Sequence, residues 1–207
     1  MKIHMKTLNE YINEKLVFTK NTKIVTIKTK KDLINEIKKK IDNNDYNFSG
    51  LYVGALEDFS NLFLGIELHN SKIDVSNWDL RNCKNMEGLF YGLKNIEING
   101  LETWNVSNVE NMENMFADCE LINVDLSDWD VSNVNNFGGM FSDCKKFKGI
   151  GLENWDVSNG DHFFGMFHNC TNLECDLSNW NIKEDAITKT MFKGCNLENH
   201  KKPKNIK

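Results

Sequence analysis

Cysteine and histidine are the side chains from which a metal centre or a nucleophilic pair is most readily built, and the 207 residues contain six and five of them. Cys119, Cys144, Cys170 and Cys195 each follow a tryptophan by fifteen positions. A shared register implies a shared packing position better than it implies pairing. Stacked Cα atoms ~4.8 Å apart fall inside the disulfide window, yet side chains on a parallel ladder point the same way, not at each other. A straight ladder of thiols also cannot close a tetrahedral zinc site. These cysteines are expected to act as small buried hydrophobes. Cys83 and Cys175 lie off that register. His162 and His168 are six apart, which is not a helical ligand spacing such as i, i+4. His4, His69 and His200 are scattered. No catalytic residue, cofactor site or metal site is nominated, and no phosphate-binding loop is present. The expectation is a chain that binds rather than catalyses.

Three polar columns offer binding chemistry instead. The residue after each tryptophan is Asp79, Asn105, Asp130, Asp156 or Asn181, and four after it come Asn82, Asn108, Asn133 and Asn159. These could form a cation-binding ladder, or they could satisfy the backbone of neighbouring turns. The calcium nonapeptide pattern is absent, and the turn role is the expectation. Nine after tryptophan the column reads Glu87, Glu113, Gly138, Phe164 and Lys189. That column is expected to face solvent. Phe164 breaks it with an exposed aromatic, the residue type favoured at binding hot spots, although a lone surface Phe is also ordinary. Glu87, Glu113 and Phe164, with His162 and His168 beside the last, are the candidate partner-binding residues.

The elements that position these columns come from a period. Trp78, Trp104, Trp129, Trp155 and Trp180 are 26, 25, 26 and 25 residues apart. Twelve positions after each comes Phe90, Phe116, Phe141, Phe167 or Phe192, preceded by Leu89, Met115, Met140, Met166 or Met191. Leu51, with Val53, Phe59, Leu62 and Phe63 at matching offsets, makes a degenerate sixth unit, as a terminal capping repeat should. Met112, Met115, Phe116 and Cys119 sit at i, i+3, i+4 and i+7, one face of a helix. Val124 and Leu126 alternate with Asp125 like a strand. Each unit therefore reads as a short strand, a turn and a short helix, too small to bury its apolar stripe without neighbours. The lone proline, Pro203, lies beyond the last unit, so nothing interrupts a strand ladder. The fold class expected is an α/β repeat solenoid, leucine-rich-repeat-like, with a small N-terminal α/β cap.

The run LETWNVSNVENMENMFADCELINVDLSDWDVSNVNNFGGMFSDC resembles the BspA-like leucine-rich-repeat family, whose units read roughly L-S-x-W-D-V-S-N-V-x-x-M-x-x-M-F-x-x-C. The resemblance spans residues 29–198. It weakens at Leu80–Cys83 and at Lys183–Ile187, where V-S-N-V is lost. It implies a leucine-rich-repeat-like fold, roles in protein binding and surface attachment, and no catalytic residues.

Residues 1–50 form the expected helix–strand–helix cap, residues 51–198 the repeats and residues 199–207 a basic tail. In the cap, Thr7 with Glu10 suggests a capping box ahead of a stripe at Leu8, Tyr11, Ile12 and Leu16. Lys23–Lys28 reads as a strand, and Leu33, Ile34, Ile37 and Ile41 give a second amphipathic helix. The net charge of −5 is uneven: residues 51–200 carry 24 acids against 10 Lys plus Arg, a net −14. Such a surface repels nucleic acid and anionic membrane and favours a protein partner with a basic surface. The N-terminus has no uninterrupted apolar run of 7–15 residues, and no segment reaches the ~18 of a membrane span. Read as translated, the chain is expected in the cytoplasm, whereas the resemblance suggests the cell surface. A non-enzymatic protein–protein interaction module is the functional expectation. An adhesin exported by a non-standard route, or a phage-encoded structural or host-protein-blocking factor, are the alternatives.

Overall fold

The computed structural model describes residues 24–206. The expected stripe at Leu8–Leu16 lies outside them. Strand β1, Val25–Thr26, pairs in parallel with β2, Leu51–Tyr52. Helix α1, Lys30–Asp42, runs between them and buries Leu33, Ile37 and Ile41. Thr29 caps it: the Thr29 side chain accepts from the Asp32 amide while the Asp32 carboxylate accepts from the Thr29 amide.

Beyond α1 the expected α/β repeat solenoid is not what forms. The described residues contain α1 as their one α-helix and two separate two-stranded sheets, and most of the rest is irregular. The second sheet pairs β3, Lys72–Asp74, with β4, Glu97–Asn99, again in parallel. No continuous ladder follows it, and the M-x-x-M-F segments are runs of turns rather than helices.

The physical reason is a pair of columns at positive φ. Ten positions after tryptophan stand Gly88, Asn114, Gly139, Gly165 and Thr190, with φ between 52° and 61°. Fourteen positions after stand Gly92, Asp118, Asp143, Asn169 and Gly194, also left-handed. An α-helix cannot continue through a left-handed residue, and Gly, Asn and Asp are the types that accept that conformation. The amides of every second residue, including those of the left-handed residues themselves, then reach the next unit. In the unit of Trp104, Met112, Asn114, Phe116 and Asp118 donate to the carbonyls of Asn136, Gly138, Met140 and Ser142 at 2.8–2.9 Å. Met115 and Cys119 instead close local turns onto Met112 and Phe116. The strand half is equally broken: Gly100, at φ 94°, lies so close to Ser76 that a Cβ would stand 2.1 Å from the Ser76 Cα.

The period is nevertheless kept in the packing. Successive tryptophan rings from Trp78 to Trp180 lie 6.0–6.4 Å apart and within 6° of parallel. Phe90, Phe116, Phe141 and Phe167 form a second row at 5.6–5.8 Å. Each indole donates to a carbonyl of the preceding unit: Trp104 to Val75, Trp129 to Leu101, Trp155 to Leu126 and Trp180 to Leu152. Trp78 does the same to Phe48, so the degenerate unit at Leu51 receives the first regular one as the regular ones receive each other. The buried aromatic pairs contribute apolar area together with offset stacking.

Candidate functional site

Along one edge of the units, polar side chains bind the turn backbone. The Asn82, Asn108, Asn133 and Asn159 amides donate to the backbone carbonyls of Gly54, Arg81, Ser107 and Ser132 in the unit before, at 2.5–2.7 Å. The column after tryptophan works within its own turn: Asn105, Asp130 and Asp156 each accept from the amide two residues on. For Asp156, hydrogen bonds from Ser158 hold the carboxyl below its usual range. The four-after column and Asn105, Asp130 and Asp156 are engaged by turn backbone, as expected of structural asparagines, whereas the buried Asp79 carboxylate pairs with Arg81 at 2.9 Å.

The cysteine column also faces inward. Cys119, Cys144 and Cys170 are buried, and their thiols donate to the carbonyls of Phe90, Phe116 and Phe141 at 2.9–3.0 Å. Burial pushes Cys119 up to about 12, and it pushes Cys144 and Cys170 up as well. Cys195, in the last unit, is only half-buried. Among the described residues, no three His, Cys, Asp or Glu side chains converge as metal ligands.

A second edge carries a groove. Residues seven after tryptophan meet their counterparts in single parallel bridges, Asn85 to Asn111 to Asn136 to His162 to Ile187. Next to this line, columns nine and thirteen carry the exposed Tyr91, Phe164, Lys189 and Lys193. In these columns Gly138 and Ser142 are small, and the depression they leave, of about 450 Å3, is lined by Glu113, Asn136, His162, Phe164, His168 and Lys193 among others. A Cβ on Gly138 would stand 3.8 Å from the Glu113 Cγ and 3.9 Å from the Phe164 carbonyl oxygen, so Gly138 separates the two.

Four of the five candidate residues, Glu113, His162, Phe164 and His168, therefore converge on one groove. Glu87 is one unit further along the same column and does not line it. The glutamates are less exposed than the sequence implies, both being half-buried, because the Asn111 amide reaches Glu87 at 3.4 Å and the Asn136 amide reaches Glu113 at 2.9 Å. Phe164 is 53% exposed, a large value in a chain whose other repeat phenylalanines are mostly buried. At the groove rim, His168 Nδ1 is 3.8 Å from the Asp143 carboxylate. Partial burial pushes Asp143 up, but hydrogen bonds from Asn169 and Ser142 and the nearby His168 outweigh it and hold the carboxyl low. Sequence reasoning missed the floor residues and Lys193. The available signal was column thirteen, Tyr91, Ala117, Ser142, His168 and Lys193, which drifts in size and charge as column nine does.

Irregular units of about 25 residues, each docked on the one before through its tryptophan, make this a tandem-repeat protein. The chain belongs to the family described as Mycoplasma protein of unknown function, DUF285, which matches residues 56–159 and again 84–205. The match gives the family and does not carry a leucine-rich-repeat motif as such. No curated protein and no solved structure matches the chain. Among the described residues no helix is long and apolar enough to cross a membrane.

Proposed function

We propose that this protein is a protein–protein interaction module, non-enzymatic, and that its partner binds the groove around Glu113 and Phe164. The BspA-like resemblance of its units supports that reading. The observation that carries it is the exposed Phe164 set in one groove with the charged Glu113 and Lys193. Six lysines elsewhere in residues 51–200 pair with acids of the adjacent unit, though Lys146 does not among the described residues: Lys72 with Glu97, Lys84 with Glu57, Lys94 with Asp118, Lys145 with Glu120, Lys148 with Glu174 and Lys183 with Asp161. Glu87, Glu113, Lys189 and Lys193 enter no ion pair among the described residues. Uncompensated charge around an exposed aromatic is what a recognition surface needs, since the charges steer the encounter and the aromatic anchors it.

The test uses the whole chain as bait on extract of its native host, beside a chain carrying Glu113→Lys and Phe164→Ala. The reading expects a protein retained by the first and lost from the second at equal stability. Retention by both, or recovery of a nucleic acid as the main ligand, overturns it.

A further inference from the structure

The groove face changes character along its length. At one end stands Glu113, with Glu87 one unit beyond it in the same column; then come Gly138 and Ser142; then His162, Phe164 and His168; and at the far end Lys193, with Lys189 of the same unit in column nine. The order is fixed by backbone contacts: the Asn114 amide donates to the Gly138 carbonyl, Gly139 to Phe164, and Gly165 to Lys189. An acidic lip and a basic lip thus face each other across a shallow floor with one aromatic side chain in it. The polarity is not relieved within the molecule. The glutamates are held by neutral asparagine amides, and the two lysines form no ion pair among the described residues.

Resting on the reading of the groove as a partner site, we infer that its occupant is an extended peptide segment of the partner. This segment carries a basic residue, an apolar or aromatic residue two positions away and an acidic residue two further on. The charges choose the ends: a cation fits against Glu87 and Glu113, and a carboxylate fits against Lys189 and Lys193. Phe164 takes the middle side chain. The spacing follows from the bridges. Glu113 and Lys189 are three units apart in one column, or ~14 Å at the ~4.8 Å step of parallel pairing. An extended chain rises ~3.3 Å per residue and shows every second side chain on one face, so positions i, i+2 and i+4 cover ~13 Å. A uniformly basic surface fits only half of this face, since its cations would meet Lys189 and Lys193 as well as the glutamates.

The experiment is fluorescence anisotropy of labelled peptides on the full chain. Lys-Ser-Phe-Ser-Glu is compared with Lys-Ser-Phe-Ser-Lys and Glu-Ser-Phe-Ser-Glu. The mixed-charge peptide is expected to bind at least ~10-fold tighter than either, with both preferences shrinking as salt screens the lips. Phe164→Ala is expected to weaken all three. In the chain with Glu87→Lys and Glu113→Lys the preference moves to Glu-Ser-Phe-Ser-Glu. Equal binding of the three peptides, or no binding by any, overturns the bipolar-segment inference. The groove reading survives either result if a host protein is still retained by the unaltered chain and lost from the Glu113→Lys, Phe164→Ala chain. If no such protein exists while the mixed-charge peptide is preferred, the peptide inference stands and the partner-protein reading falls.

Discussion

The interior rows and the groove face are built from the same repeats, but they use the period in opposite ways. Inside, one residue type recurs from unit to unit: tryptophan on tryptophan at 6.0–6.4 Å, phenylalanine on phenylalanine at 5.6–5.8 Å, thiol above thiol. On the groove face, column nine runs Glu87, Glu113, Gly138, Phe164, Lys189 with no type recurring past the second unit. Interiors are close-packed, so any departure inside a unit is felt by both neighbours. Outside, the backbone hydrogen bonds between units hold the fold whatever the side chain is, and variation costs little. The difference teaches where to look for function in such a chain: at the columns the packing does not constrain.

Two phenylalanines give the largest contrast. Phe141 is fully buried against Phe116, Phe147, Phe167 and Trp155. Phe141→Ala should lower stability by about 3–5 kcal/mol, whereas Phe164→Ala should change it by less than about 0.5 kcal/mol. Urea denaturation of both variants checks this, and comparable losses would erase the distinction between the two regions.

The thiols sharpen the interior side. Burial raises Cys83 and Cys119 to about 12 from an ordinary 9.0, and Cys144 and Cys170 move the same way. A folded pKa above the unfolded one means that the unfolded chain gives up its protons first. The stability these groups contribute is complete below about pH 9 and falls as pH rises through the interval up to the folded values, by up to ~1.4 kcal/mol per pH unit for each thiol. Chemical denaturation at a series of pH values above 8.5 should show a steepening loss, shallower in a Cys144→Ala chain. A flat profile to pH 11 would place these thiols in contact with water.

The smallest effect is expected at Thr190, which lines the groove at φ 60° where the other units place Gly or Asn. A β-branched residue in the left-handed region is strained. Thr190→Asn should therefore raise stability by about 0.5–1 kcal/mol, read as a shift in denaturation midpoint.

The registers of Trp, Phe and Cys were legible in the sequence because each column answers one packing demand. The Leu33, Ile37, Ile41 stripe was legible as α1 for the same reason. The α/β architecture was misread at a particular place. Met112, Met115, Phe116 and Cys119 match the spacing of a helical face, but a run of turns with left-handed residues at Asn114 and Asp118 buries the same four. The columns of Gly, Asn and Asp at those two positions were the available correction. Phe164 stood out as a break in its column. Gly138, Ser142 and Lys193 did not, since a groove floor is defined by what lies beside it in space.

Site-specific photo-crosslinking tests the central claim, that the variable face and not the asparagine edge meets the partner. A photoreactive phenylalanine analogue is placed at position 164 in one chain and at position 135, exposed on the asparagine edge, in another. After irradiation in host extract, the account predicts one discrete protein adduct from position 164, competed away by Lys-Ser-Phe-Ser-Glu, and none from position 135. An adduct formed from position 135 and absent from 164 would contradict it.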